Sequence, residues 1–245
     1  MRTSYREHLD AFAHDLIIMC DQVHSVMSNA SDALLKQDLQ SAEKALSLID
    51  ELEVVRLRCE ERAVQLLALE GPLARDLRQV VSSIYIVEDM YRMGVLAKHV
   101  ARTARRRHPE PAIPGPLTGY FEEMSRVTLE MSAKVREILI DPDVDVALIF
   151  GADDDAVDDL HEHLFTVLTK RDWPYSTTAA VDVTLLSRYY ERYADHAVNV
   201  ASRIVYLSTG LMPRDYLAKR REDEAEADIE RRFEELERRF SRGGH

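Results

Sequence analysis

Apolar residues recur along the N-terminal segment at steps of three and four: Leu9, Phe12, Leu16, Met19, Val23, Val26, Ala30 and Ala33. That period predicts a long helix with one buried stripe. Asp38 and Ser41 offer a break, and Ala42 opens a second helix through Leu46, Ile49, Leu52, Val55, Leu66 and Leu69. Gly71-Pro72 ends it, because proline removes a donor and restricts the residue before it. A third helix runs from about Ala74 to Arg105. The segment HPEPAIPGPLTG, with Pro109, Pro111, Pro114 and Pro116, is too proline-dense for helix and reads as a linker.

The pattern then restarts. Phe121, Met124, Val127, Met131, Val135 and Ile138 repeat the first stripe, and Asp141-Pro142 interrupts it. A helix begins near Val144, with Gly151 as a kink or restart, and Trp173-Pro174 takes the place of Gly71-Pro72. A last core helix runs from about Thr177 to Ser208, stopped by Gly210 and Pro213. The expected fold is all-α: two tandem, similar three-helix bundles, each long enough to bury its own core. The boundaries are residues 1–107 for the first repeat, 108–118 for the linker, 119–213 for the second repeat and 214–245 for a charged helical tail. In that tail Ala225, Ile229, Phe233, Leu236 and Phe240 form a heptad-like seam, either a solvated helix or one that pairs with a partner or its twin.

Composition narrows the function. A formal net charge of −12 argues against a general nucleic-acid binder, which needs a basic face. The basic run Arg102, Arg105, Arg106 and Arg107 reads as charge that complements a helix C-terminus, with docking as the alternative. Cys20 and Cys59, both in apolar-periodic segments, read as buried thiols. The charged N-terminus has no signal-peptide h-region, and no apolar run is long enough to span a bilayer, so a cytoplasmic protein is expected. No phosphate-binding glycine loop or nucleophile motif is present, and no enzyme is expected.

Candidate chemistry concentrates in the second half. Glu191 and Asp195 lie four apart in LLSRYYERYADHAVN, hence on one helix face, with Arg192 between them. The preceding helix carries Asp153, Asp154, Asp155, Asp158, Asp159 and Glu162. One pair from that set, facing Glu191 and Asp195, would make a four-carboxylate cluster suited to a hard metal ion. Aspartates near a helix start are also favoured by capping and the macrodipole alone. Asp158 and His161 form a D-x-x-H, but di-iron chemistry needs two facing motifs. One hundred positions earlier, Tyr91 and Val95 replace Glu191 and Asp195 while Arg92 matches Arg192. Arg75, Asp76 and Arg78 form a second charged patch, suited either to fixing the helix entry or to docking a partner.

LLALEGPLARDLR (Leu66 to Arg78), RMG at Arg92 and YYERYADHAVNVA (Tyr189 to Ala201) resemble the PhoU family over roughly residues 5 to 212. The resemblance implies a non-enzymatic cytoplasmic adaptor that links a phosphate ABC transporter, through its ATPase subunit, to a sensor histidine kinase and restrains the phosphate-starvation response. It implies peripheral membrane association through those partners, and E/D-x-x-x-D pairs that hold metal. Residue by residue, Asp154, Asp158, Glu191 and Asp195 match those pairs, so a Mg, Mn, Fe or Zn ion is expected on the second repeat only. Arg75, Asp76, Arg78 and Arg192 are the expected partner contacts, and a homodimer is the expected assembly. The competing readings are a metal-storing or metal-sensing bundle with no signalling partner, and a coiled-coil scaffold acting through its tail.

Overall fold

The computed structural model describes residues 2–69, 75–170 and 173–242, with side chains placed for 5–68, 75–170 and 173–233. The Gly71-Pro72 stop lies outside the described residues, as do the side chains of Leu69, Leu236 and Phe240. Among the described residues seven α-helices follow in order: α1 (Arg2–Lys36), α2 (Leu39–Leu69), α3 (Arg75–Arg107), α4 (Thr118–Ile140), α5 (Val144–Leu168), α6 (Thr177–Thr209) and α7 (Pro213–Arg242), with a 3₁₀ turn at Gly115–Leu117. No strand occurs among the described residues.

Side-chain caps start α2, α5 and α6. Gln37 turns the chain with a left-handed φ of 55°. Asp38 then accepts from Gln40 N at 2.9 Å and Ser41 Oγ at 2.7 Å. That cap starts α2 at Leu39, three residues before the apolar pattern places it at Ala42. Asp143 caps α5 through Asp145 N and Val146 N, and Ser176 caps α6 through Ala179 N. At the other end of α6, Gly210 supplies the left-handed residue at φ 80°. Gly151 produces neither kink nor restart: α5 runs unbroken through it, since one exposed glycine costs only about 1 kcal/mol of helix propensity.

The two repeats do not bury separate cores. α1, α3, α6 and α4 close a ring, each packed on the next, while α2 covers α1 and α3 and α5 covers α4 and α6. One continuous apolar cluster runs from Phe12 and Met19 through Met90 and Phe121 to Tyr190 and Val205. Small residues let α3 and α6 approach along their length: Ala97, Ala101 and Ala104 are buried on one, Ala194, Ala197 and Ala201 on the other. Polar pairs bridge the repeats inside this core, with Ser31 Oγ 2.8 Å from Tyr190 Oη and His24 Nδ1 2.7 Å from Ser132 Oγ. The proline-rich segment joins the packing too, since Ala112, Ile113 and Leu117 are buried. A ring of four central helices buries more apolar surface than two separate three-helix units, which is why the halves merge.

The basic run at the end of α3 is consumed by this architecture. Asp182, 2% exposed on α6, takes Arg106 at 3.0 Å and Arg107, while Arg105 reaches Glu43 at 3.3 Å. These arginines clamp α3 to α6 and α2 and do not form a free docking patch. Asp15 is held in the same way within the first repeat, between Arg58 at 2.7 Å and Arg62 at 2.6 Å. Both cysteines are free and buried, and burial pushes the Cys20 and Cys59 thiols up to about 12.

Candidate functional site

The buried positions of α5 are Ala147, Phe150, Val157 and Leu164. Helical spacing puts Asp154 and His161 on that same inward stripe, between Phe150 and Leu164. The acidic helix therefore turns one aspartate toward α6 by register alone. On α6, Glu191 is buried at 8% exposure, directly after the core residue Tyr190. Asp158 and Asp195, one turn along each helix, complete the group.

These four carboxylates act on one another. Burial, then the charges of Asp158, Asp195, Asp155 and Glu191, push Asp154 up to about 7. Burial and then Asp195 raise Asp158, partly offset by His161 and Arg188. Glu191 is raised by burial, with Arg188 opposing and Asp195 and Asp158 reinforcing. Arg188 donates to Glu191 Oε1. Asp153, next in sequence to Asp154, is paired with Lys134 at 2.6 Å and stands apart from the cluster. His161 Nδ1 sits 2.8 Å from Ser187 Oγ, and burial together with Arg188 lowers its affinity for a proton.

Two oxygens of the cluster, Asp154 Oδ1 and Glu191 Oε2, are buried without a hydrogen-bond partner. Orphaned buried carboxylate oxygens are costly and call for a cation or a proton. The donor chemistry of Asp154, Asp158, Glu191 and Asp195 fits a hard, oxygen-preferring ion. Among the described residues no three His, Cys, Asp or Glu side chains stand converged to hold one. Coordination of one ion by all four would require their side chains to converge.

The first repeat answers the same problem differently. Arg56 on α2 bonds Glu53 at 2.8 Å, approaches Glu60 and Glu88 at 3.5 Å, and lies 5.0 Å over the Tyr91 ring. Arg56 holds the Glu53 carboxyl below the usual range, and the hydrogen bond to Glu53 raises the Tyr91 phenol. The chain's own guanidinium thus supplies the positive charge beside Tyr91, the counterpart of Glu191. Sequence reasoning overlooked Arg56, although Glu53, Arg56 and Glu60 at i, i+3 and i+7 signal such a pairing. It also overlooked Asp15 and Asp182, for which only burial distinguishes them from surface acids.

The partner-facing residues divide. Arg75 and Asp76 are exposed in the first turn of α3, and Arg192 is exposed on α6. Arg78 favours the structural of the two readings of this patch. It is half-buried, with its guanidinium 5.7 Å over the Tyr206 ring and pressed against Gly210, where any Cβ would collide with Nη1. The side chain is taken up in fastening α3 to the end of α6.

An internally duplicated six-helix core, with its four-carboxylate group in the second repeat, defines a two-repeat all-α helical bundle. The PhoU domain matches residues 16–104 and again 121–204, and the chain belongs to the PhoU family. It is 48% identical over 213 residues to the phosphate-specific transport system accessory protein PhoU homolog 2 of Mycobacterium tuberculosis, covering 87% of this chain and 100% of that one. Homolog 1 of Mycobacterium leprae is 46% identical over 88% of this chain and 97% of its own. The crystal structure of PhoU from Pseudomonas aeruginosa shares the fold at a TM-score of 0.76 and 24% identity, covering 84% of this chain and 100% of that chain. The phosphate transport system regulatory protein PhoU from Streptococcus pneumoniae follows at a TM-score of 0.75 and 21% identity, over 85% of this chain and 98% of that one. No described helix is long and apolar enough to cross a membrane.

Proposed function

We propose that this chain is an accessory regulator of phosphate transport, which restrains uptake and the phosphate-starvation response by coupling a phosphate ABC transporter to a sensor histidine kinase. The observation that carries the reading is relatedness along the full length of relatives named as phosphate transport accessory proteins, at 48% identity. Both repeats of the family domain are present. In this reading the protein is a cytoplasmic adaptor without catalytic residues. It meets the membrane through its partners, the transporter's ATPase subunit and the kinase.

Asp154, Asp158, Glu191 and Asp195 are the residues that would hold a divalent or ferric ion. Such an ion supplies positive charge that cancels the repulsion among four carboxylates. Arg188 already neutralises part of Glu191, which keeps the cluster from being fully uncompensated. Arg75, Asp76 and Arg192 offer exposed charge for partner recognition. An adaptor switches only if it prefers one partner state, because equal affinity for both shifts nothing.

The test is affinity capture of the tagged protein from native membranes at high and low phosphate, with co-purifying proteins identified by mass spectrometry. The expected result is recovery of a transporter ATPase or sensor kinase at high phosphate, lost at low phosphate. Deleting the gene should also switch on phosphate-starvation genes at high phosphate. Capture of neither protein under either condition, with unchanged expression in the deletion strain, would overturn the reading.

A further inference from the structure

The four central helices leave a cavity of about 370 Å³ near the end of the bundle where α3 begins and α4 and α6 end. That volume is in the range of small-ligand sites. Its floor is apolar: Leu16, Ile86, Ile138 and Ile204 line it and are at most 5% exposed. One wall is polar. Arg75, Gln79 and Ser83 stand at i, i+4 and i+8, so they share a face of α3 over about 12 Å. Ser83 is only 5% exposed, yet its hydroxyl bonds to nothing among the described residues. Arg75 and Gln79 are likewise without a hydrogen-bond or ion-pair partner among them. A hydroxyl buried this deeply normally finds a partner, and this one faces a cavity.

The sister repeat carries no such wall. One hundred positions on, Tyr175, Ala179 and Val183 replace Arg75, Gln79 and Ser83. The end of the bundle at which they stand is crossed by the proline-rich segment, with His108 Nδ1 3.2 Å from Gln37 O and Ala112, Ile113 and Leu117 buried. There the chain supplies its own apolar cover, and Ala179 and Val183 bring no donor to it. At the opposite end the same scaffold turns a guanidinium, an amide and a hydroxyl toward open space. All three can donate, and only the guanidinium carries charge. Outside the mouth, Arg6 stands with Asp10 and Asp76 around a second hollow that shares Arg75 and Gln79, so that rim adds no net positive charge.

We propose that this cavity binds a small single-chain amphiphilic anion. Its carboxylate or phosphate head is held by the Arg75 guanidinium, with Gln79 and Ser83 donating beside it. Its apolar body lies against Leu16, Ile138, Ile204 and Leu207. A neutral or cationic head leaves Arg75 without a counter-charge. The volume suits one short chain and not the paired chains of a membrane phospholipid. Binding itself does not rest on the phosphate-regulatory reading, although occupancy would neutralise Arg75, one of the exposed charges offered there to a partner.

The test is calorimetric titration of the purified full chain with decanoate and decyl phosphate, and with decanol and decyltrimethylammonium as heads that lack negative charge. One site per chain is expected for the anions, and binding at least roughly tenfold weaker for the other two. Arg75→Gln should weaken the anions by roughly tenfold, and Ser83→Val, which installs the sister repeat's residue, by about threefold. Ala13→Trp, at an exposed position on the cavity wall, should block binding while circular dichroism shows the helices intact. Flotation with phosphatidylglycerol vesicles should leave the protein in solution. No binding of either anion, binding indifferent to head charge or to Arg75→Gln and Ala13→Trp, or capture by vesicles alone would each overturn the proposal.

Discussion

Arg56 lies over the ring of Tyr91, at a distance of 5.0 Å, where the second repeat has a buried glutamate in place of the tyrosine. The same α-helical scaffold thus carries a built-in cation in one repeat and an unbalanced set of acids in the other. Replacing Arg56 with alanine removes a cation–π contact and leaves Glu53, Glu60 and Glu88 without their shared counter-charge. The expected cost is about 1 to 2 kcal/mol in urea denaturation. An unchanged midpoint would mean that the guanidinium is a bystander.

In the second repeat the imbalance makes stability depend on pH. The Asp154 carboxyl binds its proton more tightly folded than unfolded, with its pKa raised from 3.8 to about 7. The folded state therefore holds the extra proton between those values, and stability falls as pH rises through that window. Asp154→Asn should melt at a higher temperature than the wild type at pH 8 and at the same temperature at pH 4. A gap of equal size at both pH values would count against this origin.

Metal addition should act on the same deficit. At pH 8, Mn²⁺ is expected to raise the melting temperature of the wild type, because an ion that binds only the folded state stabilises it. The Glu191→Gln/Asp195→Asn variant should respond little, and calorimetric titration of the wild type should give one site per chain. Two equivalent sites would show that Arg56 does not close the first repeat.

Asp182 is the hinge pin of the seam between repeats. Asp182→Ala leaves Arg106 and Arg107 exposed enough to hydrate, so the loss is that of charge-assisted hydrogen bonds and not of a stranded buried charge. About 2 to 3 kcal/mol is expected from chemical denaturation. Amide exchange should speed up first at the end of α3 and the start of α6.

Gly94 tests the packing of α2 on α3. A Cβ at this position would sit 2.3 Å from Leu52 Cδ2. Gly94→Ala gains helix propensity yet forces a core leucine aside, for an expected net destabilisation of about 1 to 2 kcal/mol. A more stable variant would mean that Leu52 has room to turn.

The apolar period carried most of the fold. Leu9 through Ala33 and Phe121 through Ile138 announce two long helices, and the proline and glycine stops separate the others. What the period does not encode is which stripe meets which, so the merging of two bundles around α3 and α6 was not readable from it. A small residue such as Ala97 or Ala197 is equally consistent with an exposed face until a neighbouring helix is seen against it. At the site, the four-residue spacing of Glu191 and Asp195 was legible, and so was the absence of its copy at Tyr91 and Val95. Glu53 and Glu60 flank Arg56 at helical spacing and were legible, whereas its contacts with Glu88 and Tyr91 come from another helix and were not. The packing of Arg78 against Tyr206 and Gly210 depends on the second repeat, which its local sequence does not show.

A three-helix unit standing alone would need a polar outer face on each helix, yet α3 and α6 are apolar where they meet. Ser31 and Tyr190, from opposite halves, satisfy each other inside that contact. Severed at the proline-rich joint, each half would expose to water the apolar faces of α3 or α6 and one partner of the Ser31–Tyr190 pair, so neither repeat is a self-sufficient folding unit.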